Sequence, residues 1–315
     1  MKAVTLRKIF AAAAGLLLTV SLAGCSHSAA DMYSGLEMKC GEMKTGAEVK
    51  TVKVTTDATS MVPVANFAPG IDSKSIQANV VTEGTGPKIT GDQSIQMDLV
   101  QYNGATGEAA GSTHFDGTDA LTQYVSSTTF LCDTFGGVKE GSRVTVLLPS
   151  SADAPSAVYI FDIKKVFLPH AVGDSQANLD SSLPAVFLDT NGAPALQFND
   201  SEAPTSLKSV TLIKGWGPKV DASKNQTLNV HYSGWIWSSG TKFDSSWDNG
   251  QAVDFDLNHV IVGWKKGLDG VTVGSQVMLV LPPALAYKNE QMGEIPPGST
   301  LIFVVDVLGI SKSDK

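Results

Sequence analysis

The chain is poor in cysteine, aromatic residues and charge, and its only long apolar run lies at its start. Its 315 residues include three cysteines, 7% aromatic residues and 17% charged residues. The cysteines have no metal-ligand spacing and the five histidines are scattered, so we expect neither a metal site nor a cofactor. The formal net charge of −8 argues against nucleic acid as a partner.

The first 24 residues have the pattern of a signal peptide. Lys2, Arg7 and Lys8 precede an apolar run at 9–20, which is shorter than the roughly 20 residues of a membrane span. The segment Leu22-Ala23-Gly24-Cys25 resembles the lipobox of bacterial lipoproteins, which implies a lipid on Cys25. The alternative is an ordinary signal peptide followed by an unrelated cysteine.

No later stretch has the length and apolarity of a membrane span, so attachment to the membrane would depend on the lipid alone. This predicts an extracytoplasmic protein, anchored by lipid to the cell membrane. Residues 25–45 are mostly small and polar and predict a flexible spacer.

The remainder of the chain contains an internal repeat of about 130 residues. The turn at 84–89 recurs at 215–220, and the paired segments that follow are 102–104 with 232–234 and 141–149 with 274–282. A period of this length indicates two tandem domains rather than a solenoid. We assign them to 46–168 and 185–311, with a linker at 169–184 and a tail at 312–315.

The second repeat has the pattern of an α+β fold. Leu228, Val230 and Tyr232 alternate with polar residues, which predicts a half-buried strand. The segments 277–281 and 301–308 predict covered strands, and 262–268 predicts one short helix bracketed by glycines. Each domain should be a curved antiparallel β-sheet wrapped on a short α-helix.

Several motifs in the second repeat carry a family resemblance. In chain order they are Val230 to Gly234, Gly240 to Ser246, Val260 to Trp264, Gly267 to Gly270, Leu281-Pro282-Pro283, Ala286-Tyr287, Ile295 to Gly298 and Leu301 to Phe303. This order and spacing resemble the FKBP-type peptidyl-prolyl cis/trans isomerases over about 105 residues. The resemblance implies isomerase activity on X-Pro bonds of exported polypeptides and binding of macrolide inhibitors.

The resemblance also implies the residues of the site. It assigns catalytic roles to Asp244, Ile261, Trp264 and Tyr287 and substrate binding to Tyr232, Phe243, Phe255, Val260, Ile295 and Phe303. Trp264 would form the floor of an apolar cup, and Asp244 would accept a hydrogen bond from Tyr232. The Ile261 N–H and the Tyr287 hydroxyl would hold carbonyl oxygens of the peptide. Lys288 stands where the family usually has glycine.

The chemistry of these residue types suits that reaction. Rotation about an X-Pro bond meets a barrier of about 18–20 kcal/mol, because the planar amide loses its resonance. The twisted amide is less dipolar and therefore loses less on entering an apolar pocket. The alternatives are that the aromatic residues are plain core and that the protein is a non-enzymatic chaperone.

The first repeat lacks most of these residues. The sequence match retains Tyr102, but it puts Ser127-Thr128 at the Val-Ile pair and Leu131 at the tryptophan. Phe115-Asp116 could replace Phe243-Asp244 only with a two-residue shift. We therefore expect an FKBP-like domain without activity, a spacer or a surface for client proteins.

Cys40 and Cys132 are the two remaining cysteines. An exported protein can keep two thiols oxidised, so a disulfide is one possibility and buried free thiols are the other.

Overall fold

A computed structural model describes residues 27–56, 61–177 and 180–312. The helices are α1 (Asp31–Ser34), α2 (Phe130–Phe135) and α3 (Val262–Leu268), with single 3-10 turns at Val49–Thr51 and Pro283–Leu285. The strands up to the linker are β1 (Lys53–Thr56), β2 (Pro63–Asn66), β3 (Gln77–Thr82), β4 (Gln93–Asn103), β5 (Ala109–Ser112), β6 (Leu121–Val125), β7 (Arg143–Leu148) and β8 (Ala157–Val166). The later strands are β9 (Gly173–Ser175), β10 (Ala185–Leu188), β11 (Pro194–Gln197), β12 (Lys208–Gly215), β13 (Thr227–Ile236), β14 (Lys242–Ser245), β15 (Val253–Asp256), β16 (Gln276–Leu281) and β17 (Leu301–Lys312).

Two antiparallel sheets organise these elements, and we call the parts built on them the first and second units. The first sheet has the order β3-β7-β8-β4-β5, with β6 also on β4, and the second has β14-β13-β17-β16-β12-β9, with β15 also on β13. The predominance of sheet with a few short helices agrees with the predicted α+β class. The predicted helix at 262–268 coincides with α3.

Each sheet is covered on both faces, which is why its strands are so apolar. In the first unit α2 packs on one face, and the β1–β2 hairpin covers the other through Ala65 and its neighbours. In the second unit α3 packs on one face, and Val186 and Leu196 of the β10–β11 hairpin help cover the other. The two hairpins even share a proline at the same place, Pro63 and Pro194.

The two sheets also share their registers. Met97 pairs with Ile163 as Val230 pairs with Val307, and Arg143 pairs with Asp162 as Gln276 pairs with Asp306. Counting along these ladders puts Leu99 at the position of Tyr232 and Tyr102 at that of Trp235. The sequence match of Tyr102 with Tyr232 is therefore wrong.

The reason for that error is a difference in loop length before the strand. Ile89 and Val220 are equivalent because both N–H groups bond to equivalent carbonyls, and Gln93 and Gln226 are equivalent because both side chains accept the same type of N–H. In the first unit four positions separate Ile89 from Gln93, whereas in the second unit six positions separate Val220 from Gln226. These two extra residues contribute to a register error of three positions, since Leu99 rather than Tyr102 corresponds to Tyr232, and a shift by an odd number of positions turns side chains to the other face.

The prediction that β13 is half-buried is also wrong. Asn229, His231 and Ser233 are buried, although they face away from α3. His231 stacks on Trp247 with ring centroids 3.8 Å apart, and its Nδ1 lies 2.9 Å from Ser246 Oγ. Alternating polarity therefore reflects a buried polar layer here, not contact with solvent.

The segments predicted as spacer and linker are partly built into the fold. In the spacer, Met32 of α1 is 2% exposed in the core of the second unit, and the Tyr33 hydroxyl donates to the Val166 carbonyl at 3.0 Å. In the linker, β9 joins the second sheet by pairing with β12. The spacer docks because burying apolar side chains such as Met32 is favourable. The linker docks because its backbone N–H and C=O groups can pair with the open edge of β12.

Cys40 and Cys132 form a disulfide that connects the start of the chain to α2. Cys25 and the predicted signal peptide lie outside the described residues. None of the helices within the described ranges is both long and apolar enough to span a membrane.

Candidate functional site

A cavity of about 280 Å³ opens between α3 and the strands β13, β14, β15 and β17. It is lined by Tyr232, Phe243, Asp244, Phe255, His259, Val260, Ile261, Trp264, Tyr287 and Phe303. Nine of these ten were predicted from the sequence. The cavity is therefore built mainly from aromatic and aliphatic surface.

Trp264 forms the floor of the cavity. It is 3% exposed and makes edge-to-face contacts with Phe255, Phe303 and Tyr232, at centroid distances of 5.1, 5.3 and 5.5 Å. Phe243 meets Phe303 in the same manner at 5.7 Å. Such pairs are favourable beyond the area they bury, so the rings hold one another in place.

Glycines make this ring cluster possible. A side chain at Gly234 on β13 would come within 2.6 Å of Phe243 and 2.9 Å of Phe303. On α3, a side chain at Gly263 would come within 2.5 Å of Leu281, and one at Gly267 within 2.6 Å of Leu279. The helix can therefore lie close to β16, which brings Trp264 under the cavity.

Polar groups at the rim are few. The Tyr232 hydroxyl donates a hydrogen bond to Asp244 Oδ2. Burial, and secondly the neighbouring Asp244, raises the pKa of Tyr232, so this phenol stays protonated. Burial followed by Asp244 also raises the pKa of Tyr287. Both hydroxyls are therefore donors at neutral pH.

Two donors at the cavity have no partner in the described part of the chain. They are the hydroxyl of Tyr287 and the backbone N–H of Ile261, which immediately precedes α3. Carbonyl groups of a bound ligand could accept from these donors without displacing a protein hydrogen bond. This arrangement suits an amide ligand.

One predicted residue is placed differently and one was missed. Ile295 is 5% exposed and packs in the core, and it is not among the lining residues. His259 lines the cavity mouth, with Nδ1 2.9 Å from Asp256 Oδ2. Its position directly before Val260 was the available signal, but polarity kept it out of an apolar set.

The loop after Tyr287 contains a strained residue. Lys288 has a φ of 56°, a left-handed conformation that favours glycine and costs other residues roughly 1–2 kcal/mol. Two hydrogen bonds keep it there, from its N–H to the Pro283 carbonyl and from Gly298 N–H to its own carbonyl, both at 2.8 Å. This geometry explains the preference for glycine at the position.

The described residues hold no group of three or more His, Cys, Asp or Glu side chains arranged for a metal ion. The cavity instead combines apolar walls with single hydrogen-bond donors.

Comparison with known proteins gives this site a family. The profile of the FKBP-type peptidyl-prolyl cis-trans isomerases matches residues 217–308. The "Probable FK506-binding protein" of Corynebacterium glutamicum is 37% identical over 115 residues, which are 36% of this chain and 96% of that protein. The "FK506-binding protein" of Streptomyces anulatus is 39% identical over 121 residues, or 37% of this chain and 96% of that protein.

Among solved structures, FkpA from Escherichia coli aligns with 30% identity and a TM-score of 0.32, covering 41% of this chain and 53% of that one. On the sequence matches, the chain belongs to the FKBP-type peptidyl-prolyl cis-trans isomerases. Its activity is accordingly the isomerisation of peptidyl-prolyl bonds.

Proposed function

We propose that the second unit catalyses this isomerisation in the apolar cavity, on X-Pro bonds of exported polypeptides. The observation that carries the proposal is the combination of an aromatic cup with two donors that have no partner among the described residues, Ile261 N–H and the Tyr287 hydroxyl. The proline ring would rest on Trp264, and the donors would receive carbonyl groups of the peptide.

The cup lowers the barrier by binding the twisted amide better than the planar one. A planar amide is strongly dipolar and loses more solvation in apolar surroundings than the twisted form does. Each 1.36 kcal/mol of preference for the twisted form gives about a tenfold acceleration. No nucleophile is needed, because no covalent bond is broken.

Asp244 contributes by position. Its carboxylate accepts the Tyr232 hydroxyl, and that bond fixes the ring that stands edge-on to Trp264. Burial and, secondly, the same negative charge raise the pKa of Tyr287, whose hydroxyl is protonated at neutral pH already at its ordinary value. The role of Asp244 is therefore to fix the wall of the cup.

We extend the proposal to the ligands and location of the protein. The named relatives bind FK506, and the aromatic cup supports binding of a similar macrolide. The Leu-Ala-Gly-Cys segment supports lipidation at Cys25 and an extracytoplasmic location on the cell membrane. The Cys40–Cys132 disulfide suits an oxidising compartment.

The first unit serves a different purpose in this proposal. It is an FKBP-like domain that lacks the cup, because Leu131 stands at the position of Trp264 and Leu99 at that of Tyr232. Such a unit would carry no isomerase activity.

A fractionation experiment tests the location independently of the activity. Cys25→Ser should move the full chain from the membrane to the soluble fraction and leave its rate of prolyl isomerisation unchanged. A variant that stays on the membrane would contradict the anchor, whereas a folded wild-type protein without isomerase activity would contradict the proposed site.

A further inference from the structure

The second unit contains a docked strand. Residues 171–175 of the linker run along the outer edge of β12, where Asp174 pairs with Lys214 and Gly173 with Gly215. The pairing continues past β9, since Gln176 N–H donates to the Leu212 carbonyl at 2.7 Å. An otherwise open sheet edge is thereby closed.

The docked strand is also held from the side. Val172 N–H donates to the Gly274 carbonyl at 2.9 Å, and Ala171 N–H donates to Asp306 Oδ2 at 2.8 Å. The indole N–H of Trp216 donates to Asp174 Oδ2 at 2.9 Å. The segment thus fills a groove made by the sheet edge and two turns.

The first unit has the same groove, and no strand of the described residues pairs with its outer edge. The ladder registers put Thr82, Glu83 and Gly84 at the positions of Ile213, Lys214 and Gly215, and put Gly141 at that of Gly274. A cavity of about 500 Å³ lies there, lined by residues from 82–86, 140–143 and 162–164. Thr85 replaces Trp216, so no indole covers the groove.

Backbone groups of this groove are available for pairing. Within the described residues, the N–H and C=O of Glu83 and the C=O of Gly141 make no hydrogen bond. The equivalent groups of the second unit are in use. Lys214 lies in the ladder with β9, and the Gly274 carbonyl accepts from Val172 N–H. An extended peptide could therefore make the same pairing in the first unit that 171–175 makes in the second.

We propose that the groove of the first unit binds an extended segment of an unfolded polypeptide by strand addition, with a small residue opposite Gly84. The chain itself shows the mode of binding, since its own segment occupies the equivalent groove. The small residue is required because a side chain at Gly173 would come within 2.1 Å of the Lys214 carbonyl. The first unit thus holds a client chain while the second acts on its prolines.

The polar floor of the groove differs between the units and defines the ligand further. In the second unit Asp306 is 1% exposed and accepts the N–H of Ala171 from the docked strand. In the first unit both oxygens of Asp162, the equivalent residue, already accept from Arg143, at 2.6 and 2.8 Å. A peptide in the first unit therefore gains its hydrogen bonds from the strand edge. Binding should depend on backbone pairing more than on side-chain charge.

The probe is a labelled peptide with the sequence of residues 169–176, Pro-His-Ala-Val-Gly-Asp-Ser-Gln. Fluorescence anisotropy with the full chain should show saturable binding. Glu83→Pro removes one N–H from the edge and should weaken binding at least about tenfold, while Glu83→Ala, which changes the same side chain, should not. A peptide with valine at the glycine should also bind at least about tenfold more weakly.

Hydrogen exchange on the unmodified chain gives a readout that does not depend on a variant folding. The peptide should slow exchange of the Glu83 amide and leave amides of the second unit unchanged. The proposal is overturned if no binding occurs at millimolar peptide, if the valine peptide binds equally well, or if protection appears elsewhere. Self-association of the chain that Glu83→Pro abolishes would instead assign the edge to a second copy.

Isomerase activity keeps this test separate from the proposed function. Glu83 lies outside the cavity of the second unit, so Glu83→Pro should isomerise a short proline peptide at the wild-type rate. Loss of peptide binding with full activity supports the groove. Peptide binding in a chain without isomerase activity would support the groove and contradict the proposed catalytic site.

Discussion

The two units of this chain have equivalent ladders except for β9, which pairs only in the second, and they have equivalent covering hairpins and helices; within the described residues, only the second unit has an aromatic cup. Counting along the strands, the cup residues of the second unit are replaced in the first by Leu99 for Tyr232, Ala110 for Phe243, Gly111 for Asp244, Gln123 for Phe255, Leu131 for Trp264 and Tyr159 for Phe303. The loop that carries Tyr287 has no counterpart, because 9 positions separate Pro149 from Val158 and 20 separate Pro282 from Ile302.

This difference shows that the fold and the site are separable. The apolar residues that fill the ladders are conserved in character between the units, since each sheet must bury both faces. The cup residues have different counterparts in the first unit, and its sheet persists without them. The fold alone therefore does not determine activity.

Exchanging the floor of the cup should have the largest effect. Trp264→Leu installs the residue of the first unit and removes three ring contacts, so we expect kcat/KM for a proline peptide to fall at least about tenfold. Leu131→Ala in the first unit is the matched control and should leave the rate unchanged. Urea unfolding must accompany the assay, because large-to-small core changes cost about 2–5 kcal/mol. A folded Trp264→Leu protein with full activity would show that the loss of the Trp264 ring does not explain the expected inactivity of the first unit.

The disulfide should distinguish the units by stability. Cys40 and Cys132 are 92 positions apart and both belong to the first unit, so the Cys40→Ala/Cys132→Ala double variant should lose about 4 kcal/mol of unfolding free energy. The isomerase rate of the second unit should not change. Equal unfolding midpoints for the wild type and the variant, measured without reductant, would show that the bond does not stabilise the first unit.

A third expected difference is a pH dependence that arises at His231, whose counterpart in the first unit is Asp98. Burial, and secondly His170, lowers the pKa of His231 to about 4, whereas the unfolded value is 6.5. The unfolded chain therefore takes up a proton first, and stability is lost as the pH falls from about 6.5 to about 4, by about 3 kcal/mol at most.

His231→Gln should remove this loss, which urea titrations at several pH values can measure. Asp306, opposite His231 on β17, acts in the other direction: burial raises its pKa to about 7, so its contribution falls as the pH rises from about 4 to about 7. Because Asp306 is present in both proteins, the effect of His231 is the difference in unfolding free energy between variant and wild type, and the variant should gain stability relative to the wild type at low pH. If this difference is the same at every pH, His231 is not a buried neutral histidine.

The smallest effect is expected at the donor that the first unit lacks. Tyr287→Phe removes one hydroxyl and keeps the ring, so the loss should be about 1 kcal/mol, or roughly fivefold in kcat/KM. The rate of the isomerase assay measures it, with Tyr159→Phe in the first unit as the control. A loss as large as that of Trp264→Leu would mean that the hydroxyl, not the apolar cup, dominates catalysis.

The sequence by itself determined the features that depend on local order. The ordered motifs from Val230 to Phe303 indicated the family, the glycine-bracketed stretch predicted α3, and the same motifs predicted nine residues that line the cavity. These features follow from short segments, because a helix, a turn or a motif is encoded by residues close together in the chain.

Only the tertiary structure decided the features that depend on distant partners. The register of β4 could not be read from Tyr102 because a loop of different length precedes it, and burial of His231 depends on Trp247 packing over it. The pairing of Cys40 with Cys132 and the docking of 171–175 on β12 likewise join segments far apart in sequence. A single sequence records which residues are available for such contacts, whereas packing and register select which contacts form.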